Sequence, residues 1–540
     1  MSVLVTTVSK YVQDNPVRKG DVERLLSKIN VKIQSEDSDD FCSLLAAIHD
    51  CATDILSQPD YQPLPDLHRF PREDVRRTPP EHNVFGHAWA HQFMIRGSQG
   101  TLKGKSVCLK DNIAVAGVPM LFGTSAIPPW TPTTDAVCVT RALEQGADIV
   151  GTTICENFCH STSSYTSGQG IVHNPRAGGY SAGGSTSGAA ALVAGGLVDM
   201  AIGADQGGSI RVPAALCGCV GFKPTHGMVP YTGILSGDAI SDHAGPMTQT
   251  VQDAALLMDA ISGYDGIDDR SLGASPPGQY AFADSLRGLL RIPRPFEGYK
   301  IGLIIESLEH SLLEPAVKAI VLEAATRFEI LGAKVHRVSI PEHLEGHKLW
   351  SIQQRIASCN NILGHQHGRH GLYLDEFDSG RLPWTQNAFG NLFPSTQNVI
   401  INGLYLNEKF PGLYGKTMNL IRKLRDRYES ALREFDVLIT PTTPKVAPKH
   451  GKQGRPLESL EPSIGMTINT CGFNVTGHPA LAIPVGLVPP PVVDGGVHLP
   501  VSMQIVGPLK GDEMVLKVGH AWESRFKWQH TVYAEQVKLL

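Results

Sequence analysis

The chain has little of what marks several large classes of protein. No apolar run approaches the roughly 20 residues of a membrane-spanning helix, so no membrane partner is expected. No block of lysine and arginine appears. The 540 residues carry 47 basic and 52 acidic side chains, a formal charge of -5, which disfavours nucleic acid as a partner. Residues 1–16 lack the basic start and continuous apolar core of a secretory signal. Cysteine is thin: 10 residues, spread from Cys42 to Cys471 without a repeating spacing. They read as small buried hydrophobes in a reducing compartment, which makes a cytoplasmic protein the expectation. Cys155, Cys159 and His160 lack a second ligand pair, and His365, His367 and His370 read as a surface turn. Neither metal nor organic cofactor is therefore expected.

Two common explanations for Gly/Ser-rich loops are also missing. In a Gly-x-Ser-x-Gly elbow a glycine follows the serine by two residues. Here Ser187 occupies that place after Ser185, and Arg211 after Ser209. No Gly-Lys-[Ser/Thr] follows the glycines, so there is no Walker-type phosphate loop.

What is present is an alternation of strand-like and helix-like segments, hence an α/β class. Residues 1–57 read as helical, with one helix capped by Asp21 and a stronger one after Ser38. Residues 58–83, rich in proline and charge, read as an extended connector. The organisation expected is a helical N-terminal unit with linker, residues 1–82, and a main domain, residues 83–540. Within the latter the catalytic core is placed at about 90–290 and 435–530, with a smaller substrate-side region at about 291–434. Strands are expected at 105–109, 147–151, 197–204, 300–306, 334–340, 435–439, 480–485 and 501–506. Helices are expected at 135–146, 187–194, 253–261 and 315–331, the last completing a βαβ unit.

The chemistry is expected in Gly178–Gly221. Gly183-Gly184-Ser185 and Gly207-Gly208-Ser209 flank a helix and a strand that turn back on themselves and bring both serines together. The consecutive N–H groups of Gln206, Gly207, Gly208 and Ser209 suit an oxyanion hole, the glycines permitting a nest. No histidine lies near either serine in sequence. Lys110, closing an apolar strand, is the better base, because loss of solvation favours its uncharged form.

These residues, in Cys108–Asn112, Gly183–Gly188, Gly203–Ala215 and Gly221–Thr225, resemble the amidase signature family. The resemblance extends over roughly residues 90–510. The wording Asp205–Ser209 and Val229–Gly233 is similar to broad-specificity amidases found beside nitrile hydratases. The resemblance implies a single large domain with a central mixed β-sheet covered by helices on both faces. It implies Ser209 as nucleophile, Ser185 as a bridging serine held by a cis peptide bond, and Lys110 as base. Gly184 is expected to bind substrate, and Asp205 either to bind it or to cap the loop or pair with Arg211, which braces the nucleophile loop. Thr186 departs from the serine or glycine usual after the bridging serine.

The function expected is hydrolysis of the C–N bond of small-molecule amides through an acyl-enzyme on Ser209. A urethanase using the same triad is the alternative. A component of tRNA-dependent transamidation and a non-catalytic binding protein are further readings. A homodimer, with the N-terminal helices as a contact, is considered. The pocket walls are expected from residues 120–130, 157–165, 231–243 and 340–475.

Overall fold

A computed structural model describes residues 15–452, 454–491 and 495–533. The chain divides between Pro63 and Leu64 into two compact units. The N-terminal unit holds the helices Lys19–Ser27 and Ser38–Leu56. Asp21 does not precede the first helix. It sits in its first turn and accepts the Arg18 N–H at 2.9 Å, so the cap is made from inside. Asn15 ties the segment to the second helix by donating to the Ala46 carbonyl at 2.9 Å.

The larger unit contains fourteen described strands: β1 Glu73–Arg77, β2 Trp89–Ile95, β3 Ser106–Lys110, β4 Asp148–Thr153, β5 His173–Asn174, β6 Ala177–Ser181, β7 Met200–Asp205, β8 Val220–Lys223, β9 His243–Thr248, β10 Lys300–Ile304, β11 Lys334–Val338, β12 Val437–Pro441, β13 Ala480–Val488 and β14 Leu499–Val506. β5 and β6 form a small ribbon. The other twelve make one sheet in the order β1-β2-β4-β3-β7-β9-β8-β13-β14-β12-β10-β11. Pairings of β3 with β4 and β7, and of β10 with β11 and β12, are parallel. The rest are antiparallel, so the sheet is mixed.

Side chains alternate across a strand, and the core shows both faces covered. Val107, Leu109, Met200 and Ile202 pack with Val139 and Leu143 of helix Val137–Glu144 and with Leu257 and Met258 of helix Val251–Ile261. Their neighbours Cys108 and Ala201 face Ala189–Val193 of helix Ser187–Ala194 on the other side. A helix made of Ser, Gly, Ala, Leu and Val lies close to the sheet because it has so little side-chain bulk.

Several boundaries differ from those expected. Residues 64–83 belong to the larger unit, and β1, expected within the connector, is the edge strand of its sheet. The βαβ unit β10–helix Pro315–Ile330–β11 is present, but β10 pairs with β12, so residues 300–338 extend the core sheet. The separate layer beyond it begins instead with helix Gly346–Ile362 and includes Pro394–Lys409 and Leu413–Leu432. Asp135 does not cap its helix. It pairs with Arg72 and accepts the Ala116 N–H at 2.8 Å. The segment between β13 and β14 lies partly outside the described residues.

Candidate active site

Because β3 and β7 are parallel neighbours, their C-terminal ends lie at one edge of the sheet. Lys110 closes β3 and Asp205 closes β7, so the sheet delivers the lysine beside the loop Gln206–Ser209. Lys110 is fully buried; its Nζ contacts Ser185 Oγ at 2.8 Å and the Ala204 carbonyl at 3.1 Å. Ser185, also fully buried, stands between β6 and helix Ser187–Ala194, and its peptide bond to Gly184 is cis. The Thr186 N–H reaches the Ser209 carbonyl at 3.3 Å, which ties the two serine loops together.

The loop 205–209 is held from outside. The carbonyls of Asp205, Gln206 and Gly207 accept, respectively, from Asn474 Nδ2 at 2.9 Å, Trp350 Nε1 at 2.7 Å and Thr470 Oγ1 at 2.7 Å. The Gly208 carbonyl accepts the Val212 N–H at 2.6 Å. In a trans peptide the N–H points opposite the carbonyl. Pinning four carbonyls therefore fixes the direction of the N–H groups of residues 206–209. Glycine is required here: a Cβ on Gly207 would lie 2.5 Å from the Trp350 ring, and Gly208 has φ +139°.

One expected oxyanion donor is already used. Gly208 N–H donates to Asp205 Oδ1 at 2.7 Å. No protein acceptor for the N–H groups of Gln206, Gly207 and Ser209 is found among the described residues. Asp205, expected either at the substrate or paired with Arg211, lies fully inside the protein and takes the second role. Arg211 holds it through Nε and Nη2, each at 3.0 Å, while Ile210 N–H donates at 3.1 Å. Arg211 also reaches Asn474 Oδ1 at 2.6 Å and Gln504 Oε1 at 2.7 Å. Burial alone would raise the Asp205 carboxyl, but Arg211 and Asn474 outweigh it and hold it well below the usual range. Gly184, the other residue expected at the substrate, lies with its Cα toward Glu156, where an added Cβ would sit 2.8 Å from that side chain.

Glu156 was not singled out from the sequence. Its N–H donates to the Ser185 carbonyl at 3.2 Å, and its carboxylate accepts from Thr166 N–H at 2.8 Å, from the Thr166 hydroxyl, and from Ser187 Oγ at 2.9 Å. Burial raises it to about 7. Cys159 and His160, expected to be ordinary packing, line the site. Burial would raise the Cys159 thiol, but Cys155, Lys110 and Ser185 draw it below the ordinary thiol range.

Two cavities meet at Cys159, His160, Gln206 and Gln354. The larger, about 480 Å³, is bounded by Ser209, Gly207 and Trp350. The smaller, about 60 Å³, runs between the aromatic rings of Phe122, Phe158 and Phe377 and past Tyr231. Phe122 meets Phe158 and Phe377 edge-on at centroid distances of 4.9 and 5.8 Å. Apart from Gln206, Gly207 and Ser209 of the loop itself, the walls fall within the stretches expected, with Asn112, Arg270 and Leu312 as additions from outside them. Among the described residues no group of His, Cys, Asp and Glu is arranged to hold a metal ion.

The family model described as Amidase matches residues 86–516, and the chain belongs to that amidase family. It is 38% identical over 434 residues to an enantioselective amidase of Rhodococcus rhodochrous, covering 78% of this chain and 79% of the relative. It is 32% identical over 432 residues to a glutamyl-tRNA(Gln) amidotransferase component of Pseudothermotoga lettingae, covering 79% of this chain and 86% of that one. Among solved structures, the peptide amidase of Stenotrophomonas maltophilia superposes with TM-score 0.63 at 26% identity, covering 79% of this chain and 83% of that chain. The family match and the amidase relatives of this fold make the protein an enzyme that hydrolyses carbon–nitrogen bonds.

Proposed function

We propose that the chain hydrolyses small-molecule amides to a carboxylate and ammonia or an amine through an acyl-enzyme on Ser209. The observation that carries this reading is the 2.8 Å contact between Lys110 Nζ and Ser185 Oγ, in a loop tied to the one bearing Ser209. Lys110 acts as base on Ser185, and Ser185 takes the proton of Ser209 as its Oγ attacks the carbonyl. The N–H groups of Gln206, Gly207 and Ser209 receive the oxyanion. Ser185 returns the proton to the leaving nitrogen, and water then releases the acid. Ser209 is 7% exposed and opens on the roomier cavity, while the smaller one holds only a few heavy atoms. That difference suits a bulky group on one side of the scissile bond and a small one on the other. Ten free cysteines support residence in a reducing compartment such as the cytoplasm.

The test is active-site labelling with a fluorophosphonate, alongside turnover of benzamide, acetamide and ethyl carbamate. Labelling that requires Ser209, with amides turned over faster than the carbamate, is the expected result. Faster carbamate turnover would make the enzyme a urethanase, and labelling that persists in Ser209→Ala would remove the nucleophile from this scheme.

A further inference from the structure

Arginines line both cavities, and most have a carboxylate of their own. In the smaller cavity Arg270 pairs with Asp242 at 3.0 Å and Asp268 at 2.8 Å, Arg369 with Asp268 at 2.8 Å, and Arg381 with Asp378. Arg355, on the wall of the larger cavity, differs. Among the described residues its side chain makes one hydrogen bond, from Nη1 to the neutral amide oxygen of Gln354 at 3.0 Å. No aspartate or glutamate stands on that wall, and no ion pair to Arg355 is found among the described residues. Burial alone pulls its guanidinium below the ordinary arginine range, with no carboxylate to oppose the shift. His160, on the same wall, is driven down to about 3, first by burial and then by the positive Arg355, and an imidazole supplies no negative charge in either of its forms.

Other polar groups on that wall also lack partners. The hydroxyls of Thr162 and Ser395 border the same cavity, are shut off from solvent, and have no partner among the described residues. A half-buried guanidinium without a counter-ion is costly, and donors left unmade beside it add to the cost. An anion arriving with the substrate relieves both. One guanidinium neutralises one negative charge, and its planar fork matches the two oxygens of a carboxylate.

We propose that Arg355 is a specificity-determining residue that receives a carboxylate carried by the amide substrate, so that the preferred substrates are monoanionic amides. This rests on the amidase reading and refines its substrate class. Neutral amides reach the same nucleophile but leave the Arg355 wall uncompensated.

The experiment compares kcat/KM for matched pairs that differ in one carboxylate. Succinamate against butyramide places the charge on the acyl side. Benzoylglycine against N-propylbenzamide places it on the amine side. In the wild-type protein the acid of at least one pair is expected to exceed its neutral partner by about 10- to 100-fold, the usual range for a charged hydrogen-bonded contact. Arg355→Gln is expected to bring that ratio to within about threefold. Arg355→Lys keeps a cation but not the fork, lowers the ratio several-fold, and decides the matter if the glutamine variant does not fold. Neutral amides turned over as well as both acids by the wild type would overturn the carboxylate assignment and leave the amidase reading standing. A preference that survives Arg355→Gln would overturn the role of this arginine. No turnover of any of the four compounds would overturn the amidase reading and this inference with it.

Discussion

Between Gly183 and Arg211, the segment beneath the site, the charges are matched inside the protein. Asp205 and Arg211 face each other with no exposure, and Asn474, Gln504 and Thr470 take the remaining donors. The wall contributed by helix Gly346–Ile362 is different. It carries Arg355, which has no carboxylate partner among the described residues, and it faces a cavity also bordered by the hydroxyls of Thr162 and Ser395, likewise without partners there. The first region is a finished network whose polar groups act on one another. The second leaves its polar groups for something absent from the polypeptide. Rigid positioning of reacting atoms and recognition of a variable ligand place opposite demands on buried polarity.

The largest expected effect comes from breaking the first region at its reacting atom. Ser209→Ala is expected to lower kcat/KM by about 10³-fold or more on the best amide, with fold intact by circular dichroism. Residual turnover close to wild type would mean that chemistry does not run through this loop.

Next in size is the charge network. Asp205→Ala leaves Arg211 buried without its carboxylate, so urea unfolding is expected to show a loss of about 3–5 kcal/mol. A loss below about 1 kcal/mol, the level of an exposed pair, would erase the contrast between the two regions.

Glu156 gives a pH-dependent version of the same test. Its folded value is raised to about 7 from 4.5. The stability held by the protonated form is complete below about pH 4.5 and is lost as pH rises through 7. Wild type is expected to lose about 3 kcal/mol over that window relative to Glu156→Gln, in unfolding curves measured from pH 4.5 to 8. Parallel curves for the two proteins would show that Glu156 is not a buried acid.

The smallest effect belongs to the outer layer, away from either cavity. Gly415 lies within helix Leu413–Leu432, and a Cβ at this position would meet nothing within 4 Å. Gly415→Ala is expected to add about 0.5–1 kcal/mol with kcat/KM unchanged. A destabilising result would mean that the helix does not present an open surface there.

Much of the site was legible in the chain. Lys110, Ser185 and Ser209 stand in distinctive wording, and the helix 187–194 has the bounds its small residues imply. Other features could not be read locally. Gly208 reads as a free donor until Asp205, three residues earlier, folds back onto its N–H. Glu156 is one glutamate in an irregular turn, with no periodicity to mark it. β9, His243–Thr248, contains Gly245 and Pro246, which argue against a strand. It pairs with β7 along its length, where Pro246 stands opposite Ile202, and with β8 at Met247 and Thr248, so Pro246 lies beyond the rungs shared with β8. Arg355 looks like any other arginine on a helix until its surroundings prove to lack acid.

By itself the sequence determined the α/β class, the strands that carry Lys110 and Asp205, and the two glycine-rich serine loops. These depend on apolar patterning and local backbone freedom, which act over a few residues. Only the tertiary structure decided which N–H groups remain for an oxyanion, how Asp205 is spent, and which arginine is left without a partner. Those outcomes depend on Trp350, Thr470 and Asn474 reaching the loop from more than 100 residues away. Partnership between buried polar groups is a property of three-dimensional neighbours, and no local pattern records it.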